Sequence, residues 1–273
     1  MLRLLLILIV WIISMGGQMP ASAQDADSSR VVQELLGETG GNPKENKDGA
    51  PVPEKGTLVQ WFGHAFVYLT SDSGIRIAIN PFSDGLFDYR IPNALPADIV
   101  LISCESADYS GGKELFGLPQ VFRSSAGLGL NNANGLTFRG TETFRDSQRG
   151  REMGSNTVYS FMLDGIRYCH IGSIGHTLDF NQRSKIGQVD VLFLPVGNPA
   201  ITSAQLWSIA EGLKAKWVVP MGYRTEKTGN LGFRSLEDFD LSGRAVKKLD
   251  SSEMIFSSEA LPTEPTVLLF NVP

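Results

Sequence analysis

The chain is poor in the residues that most often do chemistry. Its 273 residues hold only three histidines and two cysteines. Two cysteines make no disulfide framework in a chain this long, and the sequence leaves open whether Cys104 and Cys169 meet. There is no Gly-Lys-Ser/Thr loop to cradle a phosphate and no Gly-x-Ser-x-Gly turn to present a serine nucleophile. No internal repeat recurs at a fixed period. An excess of positive charge is also missing: 24 Lys and Arg stand against 29 Asp and Glu, a net charge of −5. Nucleic acid and anionic membrane surfaces are therefore poor partners. Of long apolar runs there is one near the start, Leu4 to Ile13, short of the roughly 20 residues a membrane span needs.

That run has a clear reading. Arg3 precedes it, and the small residues Ala21-Ser22-Ala23 follow before Gln24. A basic start, an apolar middle and a small-residue cleavage site are the parts of a secretory signal peptide. The expectation is a signal over 1–23, export to the periplasm or beyond, and no membrane attachment after cleavage. Losing Arg3 takes the net charge from −5 to −6. Residues 24–56 mix Gly, Pro and charge, with one stretch, "VVQELLG", fit for a short helix. Such a segment cannot bury enough to offset its ordering entropy and reads as a flexible linker. One large domain over 57–273 is expected to follow.

The domain reads as a series of strands. "LVQWFGHAFVYLTS", "GIRIAINPF", "ADIVLIS", "PQVFRS", "GLTFRGTETF", "NTVYSFMLDGIRYCHIG", "VDVLFLPV" and "KWVVPMGY" each alternate or run apolar. Asp164-Gly165 between two alternating runs signals a hairpin. Helices are fewer. "SAQLWSIAEGLK" places Leu206, Ile209, Ala210 and Leu213 on one face behind a Thr202/Ser203 cap, with Trp207 a core residue. "GGKELFG" and "SLEDFDLSGRAV" read as further short helices. The pattern is α/β, with many strands and helices outside.

The stretch with the most chemical character is "IVLISCESADYSGG", residues 99–112: a buried strand opening into a small polar loop with Asp108 and a Gly-Gly pair. With its neighbours it carries a family resemblance. "WFGHAFVYL" is similar to an opening Gly-His-Ser/Ala strand of the metallo-β-lactamase-fold hydrolases. "IAINPF" resembles their Ile-Asp-Pro-Phe, and 99–112 lies where they have Ser-His-x-His-x-Asp-His-x-Gly-Gly. "FRDSQRGREMGSNTVYSF", "GIRYCHIGSIGH", "VDVLFLPVGNPAITSAQ" and "VVPMGYRT" match later motifs in order. The resemblance covers roughly 57–226 and is nearest the L-ascorbate-6-phosphate lactonase-like branch. It implies a four-layer αββα sandwich of two mixed sheets, in proteins that often form homo-oligomers.

The resemblance also implies a site. The family's seven metal-ligand positions fall on Cys104, Ser106, Asp108, Tyr109, Arg145, Ser173 and Gly222, of which Asp108 alone keeps the family's ligand type. Zinc needs three or four imidazole, carboxylate or thiolate groups at about 2.0–2.3 Å. On this reading no metal is expected, and the chain is expected to be a non-catalytic module that binds a small molecule or a protein. The alternative is a hydrolase of lactones, esters or phosphoesters. It would use a rebuilt zinc or manganese site, or Cys104, Asp108, His170 or His176 directly. His64, His170 and His176 match non-ligand histidines that shape the cleft, with His176 the best placed to touch a ligand. Asp108 and Arg145 are expected to form an ion pair, and Tyr109 to fill the volume of a lost histidine. Asn80, where the family has aspartate, alters a residue that helps orient the ligands.

Overall fold

The structure, a computed structural model, describes residues 44–45 and 51–273. The expected signal peptide, the "VVQELLG" helix and most of the linker lie outside the described residues. Lys44–Glu45 pairs antiparallel with Pro51–Val52, and Val52 is buried, so packing reaches back at least that far before Thr57. Among the described residues no helix is long and apolar enough to cross a membrane.

Two mixed sheets face each other. The first has six strands in the order Glu253–Phe256, Thr57–Gly63, Phe66–Thr70, Arg76–Ile79, Ile99–Ile102, Gln120–Arg123. The second has eight, in the order Gly129–Ala133, Leu136–Phe144, Ser155–Leu163, Ile166–His170, Val191–Pro195, Trp217–Met221, Thr266–Leu269, Ala245–Lys248. Each sheet begins with antiparallel hairpins and ends with parallel pairs. The parallel strands Ile99–Ile102, Val191–Pro195 and Trp217–Met221 are buried at every position, which is why their sequences are unbroken apolar runs.

Between the sheets, Val59, Trp61, Leu69, Ile77 and Ile99 meet Phe138, Tyr159, Tyr168 and Phe193. The expected helix over 203–214 forms as Ser203–Gly212. Thr202 Oγ1 accepts from Gln205 N at 3.3 Å and Gln205 Oε1 accepts from Thr202 N at 2.9 Å. A second helix, Phe180–Ile186, starts at an equivalent box between Asp179 and Gln182 that the sequence reading missed. Trp207 is buried, stacked on Phe239, with its indole N–H donated to Asp240 O.

Two expected helices are absent. Residues 111–117 hold only the short strand Leu115–Phe116, paired with Leu95–Pro96. The Gly-Gly pair is used for close approach instead: a Cβ on Gly111 would lie 1.9 Å from Phe82 O. Residues 235–246 hold one turn, Leu236–Asp238, and then a strand. The outer face of the six-stranded sheet (Phe66, Tyr68, Val100, Ile102) is covered by Phe82, Phe87, Tyr89 and Leu95 from the segment between the strands Arg76–Ile79 and Ile99–Ile102. The loops after Ile102, Phe144, His170, Pro195 and Met221 open on one edge of the sandwich, and that edge carries the site.

Candidate active site

A cleft of about 390 Å³ opens between these loops. Six of the seven positions singled out by the sequence line it: Ser106, Asp108, Tyr109, Arg145, Ser173 and Gly222. They come from four separate loops, up to 116 residues apart in the chain. Cys104, the seventh, lies buried against Ala65 and Tyr109. Tyr109 is itself buried, with its hydroxyl 3.7 Å from where a Cβ on Gly222 would stand.

Asp108 does not pair with Arg145, as the sequence suggested. Its Oδ1 accepts from the Ser106 hydroxyl, and its Oδ2 stands 3.3 Å from His64 Nε2. Burial pushes this carboxyl up, but His64 and Ser106 outweigh burial and hold it below the usual carboxylate range. His64 is completely buried, on the turn between the strands Thr57–Gly63 and Phe66–Thr70, with Phe87, Tyr109 and Phe233 around its ring.

Arg145 points elsewhere. Its Nε donates to Ser173 Oγ at 3.4 Å and its Nη1 to Met153 O at 3.3 Å. The loop that carries it is organised by Asp146, a residue the sequence reading passed over. The Asp146 carboxylate accepts four backbone N–H groups, from Gln148, Gly150, Glu152 and Met153, at 2.7–3.1 Å. Burial raises this carboxyl and the four donors more than offset it, so it is held low. A sequence signal existed, since an acid heading a glycine-flanked loop is a common loop organiser.

The other candidates are structural. His170 is buried: Nε2 donates to Ala65 O at 3.1 Å, while Nδ1 accepts from Gly172 N at 3.0 Å and faces Asn80 Nδ2 at 3.3 Å. Asn80 also accepts from Ser103 N at 2.8 Å, so it holds the start of the 103–112 loop. His176, expected to touch a ligand, is occupied by backbone: Nε2 accepts from Phe144 N at 3.0 Å and Nδ1 donates to Thr177 O at 2.7 Å. Cys104 and Cys169 are both free and buried, so no disulfide forms. Burial pushes the Cys104 thiol up to about 11 despite the pull of Arg145. A thiol so protonated is no nucleophile at neutral pH.

Comparison with known proteins adds to this geometry. The profile of the β-lactamase superfamily domain matches residues 58–222. A protein of Carboxydothermus hydrogenoformans named UPF0173 metal-dependent hydrolase is 24% identical over 223 residues, 72% of this chain and 98% of its own. A Methanobrevibacter smithii protein of the same name is 24% identical over 201 residues, 61% of this chain and 82% of its own. The crystal structure of a proposed Zn-dependent hydrolase of the metallo-β-lactamase superfamily from Thermotoga maritima superposes with a TM-score of 0.64 at 28% identity, over 78% of this chain and 98% of its own.

These relatives overturn two expectations from the sequence: a non-catalytic binding module, and no cofactor. Both rested on counting changed ligand types. That count ignores the ionised carboxylate, imidazole and guanidinium that still line or floor the cleft, groups suited to moving protons and charge. The metal implied by the relatives' names nevertheless finds no matching donor set here. Among the described residues no three His, Cys, Asp or Glu converge. Of the described residues, Asp108 is the one carboxylate lining the cleft, and the cation Arg145 lines the same cleft.

Proposed function

Because the chain belongs to the β-lactamase superfamily, we propose that it is a hydrolase whose reaction runs in the cleft between Asp108 and Arg145. The carrying observation is the gathering of Ser106, Asp108, Tyr109, Arg145, Ser173 and Gly222 in one cleft, with Asp108 held ionised. The substrate classes we propose are lactones, esters and phosphoesters. The finer placement, near the L-ascorbate-6-phosphate lactonase-like branch with six of seven family ligand types replaced, is supported by the ordered motifs of residues 57–226.

The chain's own residues suit a hydrolytic step. The Asp108 carboxylate is positioned to accept a proton from an attacking water, with the His64 imidazole 3.3 Å away to hold its orientation. A base this acidic is a weak proton acceptor, but it stays available at low pH. Leu86, Leu231 and Phe233 supply apolar wall that limits water.

The test is turnover of one lactone, one carboxylic ester and one phosphoester by the full chain, with and without added zinc or manganese, alongside bound-metal counting by mass spectrometry. Hydrolysis of at least one class is expected, with a loss of roughly 10²–10⁴-fold in Asp108→Asn. No turnover in any condition, or an unimpaired Asp108→Asn, would overturn the proposal.

A further inference from the structure

The cleft has one feature that water activation does not require. Among the described residues, Arg145 is the single Lys or Arg that lines it. A guanidinium carries five N–H donors. Here two are used, both on neutral oxygens and both at long distances, 3.4 Å to Ser173 Oγ and 3.3 Å to Met153 O. Among the described residues no carboxylate forms an ion pair with it. The one acid beside it in the cleft, Asp108, is already partnered by Ser106 and His64. A fixed cation with spare donors facing a cavity is an anion site.

The surroundings hold this cation in place before anything binds. Gly175 N donates to Phe144 O at 2.9 Å, and a Cβ on Gly175 would lie 2.0 Å from Arg145 O, so two backbones touch behind the guanidinium. Ser173, 5% exposed, is fixed through its own N–H, which donates to Oδ1 of the fully buried Asn156 at 2.7 Å. Asn156 in turn donates to Thr143 Oγ1 at 2.7 Å and Ile171 O at 2.8 Å. The four bonds to Asp146 fix the loop that brings Met153 O to Arg145. A recognition group ordered in advance loses little entropy on binding.

We infer that Arg145, with Ser173 beside it, is the recognition site for an anionic group, a carboxylate or a phosphate, on the small molecule that the cleft hydrolyses. The inference rests on the hydrolase reading for its substrate role, though not for the anion site itself. The anion docks on Arg145, and the bond to be cleaved is then held toward Asp108. Arg145 is in this sense the specificity determinant.

The test is equilibrium calorimetry on the full chain in low-salt buffer, titrating inorganic phosphate and, separately, acetate. Saturable 1:1 binding of at least one is expected, and which one binds better tells phosphate from carboxylate recognition. Arg145→Gln should weaken it at least tenfold, and Arg145→Lys, which keeps the charge but not the fork, by less. Ser173→Ala should weaken it roughly 3–10-fold at an unchanged thermal midpoint, so that misfolding is not mistaken for loss of the site. Equal affinity in wild type and Arg145→Gln, or no saturation by either anion at tens of millimolar, overturns the inference. Binding needs no turnover. A protein that binds phosphate through Arg145 but hydrolyses nothing keeps the anion site and removes the hydrolase.

Discussion

His64 Nε2 stands 3.3 Å from Asp108 Oδ2, and the chain strains its backbone to keep it there. His64 has φ +46, a left-handed conformation that a non-glycine residue adopts at a cost of roughly 1–3 kcal/mol. Its carbonyl secures the turn by accepting from Trp61 Nε1 and Gly222 N, each at 2.9 Å. The pairing has a pH consequence. With His64 present, Asp108 is held below the usual carboxylate range, so its basic form survives to lower pH than that of an ordinary carboxyl. In His64→Ala, desolvation would act with only Ser106 and a backbone N–H opposing it, and the carboxyl should titrate higher. The acid limb of kcat/KM should then move to higher pH, as should the Asp108 carboxyl shift in an NMR titration. An unmoved carboxyl titration would detach Asp108 from His64.

Much of the site was legible because the strands are. Ile99–Ile102 and Trp217–Met221 are unmistakable apolar runs and Ile166–His170 follows the Asp164-Gly165 hairpin signal, so the loops that follow them, with Asp108, Ser173 and Gly222, could be located from sequence alone. What was not legible was which charges pair. Asp108 and Arg145 share a cleft, yet Asp108 faces a histidine whose turn lies 44 residues earlier, and no local pattern records that. Asp146 escaped because its partners are backbone N–H groups, which every residue has. The helix expected over 111–117 failed because Gly111 serves a close contact with the Phe82 backbone, with Gly112 against Pro81 and Leu115, rather than a cap. Function misled for a related reason: replaced residue types at six of seven positions say little about what the remaining groups do together.

Cys104 should be unreactive in the native protein. Its thiol sits at about 11, raised by burial, so at pH 8 only about 0.1% is thiolate. Iodoacetamide at pH 8 should label neither cysteine until denaturant is added, and Cys104→Ala should keep most of whatever turnover is found. Stoichiometric labelling of folded protein within minutes would restore Cys104 as a candidate nucleophile.

His170 should make the fold acid-sensitive. Burial lowers its imidazole to about 4, against about 6.5 when unfolded. Between those values the unfolded chain holds the extra proton, so stability falls as pH drops from about 6.5 to about 4, by up to about 1.4 kcal/mol per pH unit. Urea midpoints across that range should fall steadily. His170→Gln should be less stable at pH 7, because Ala65 O and Gly172 N lose their partner, but its stability should vary less with pH across the same window. Parallel pH curves for the two proteins would show that His170 is not the group responsible.

Gly175→Ala links the packing behind the cleft to its chemistry. The added Cβ would meet Arg145 O at 2.0 Å and Asp146 N at 2.6 Å, backbone atoms that cannot rotate aside. Overpacking of this kind costs about 1–3 kcal/mol, which a domain of this size should survive at 25 °C. The backbone that yields is the one bearing Arg145 and the Asp146 loop. Phosphate or acetate affinity should therefore fall at least tenfold in protein that circular dichroism shows to be fully folded. Arg145→Gln added on top should then cost little more, because the same interaction has already been lost. Independent, additive losses would mean that Gly175 acts on stability alone and that the guanidinium is held by something other than this backbone contact.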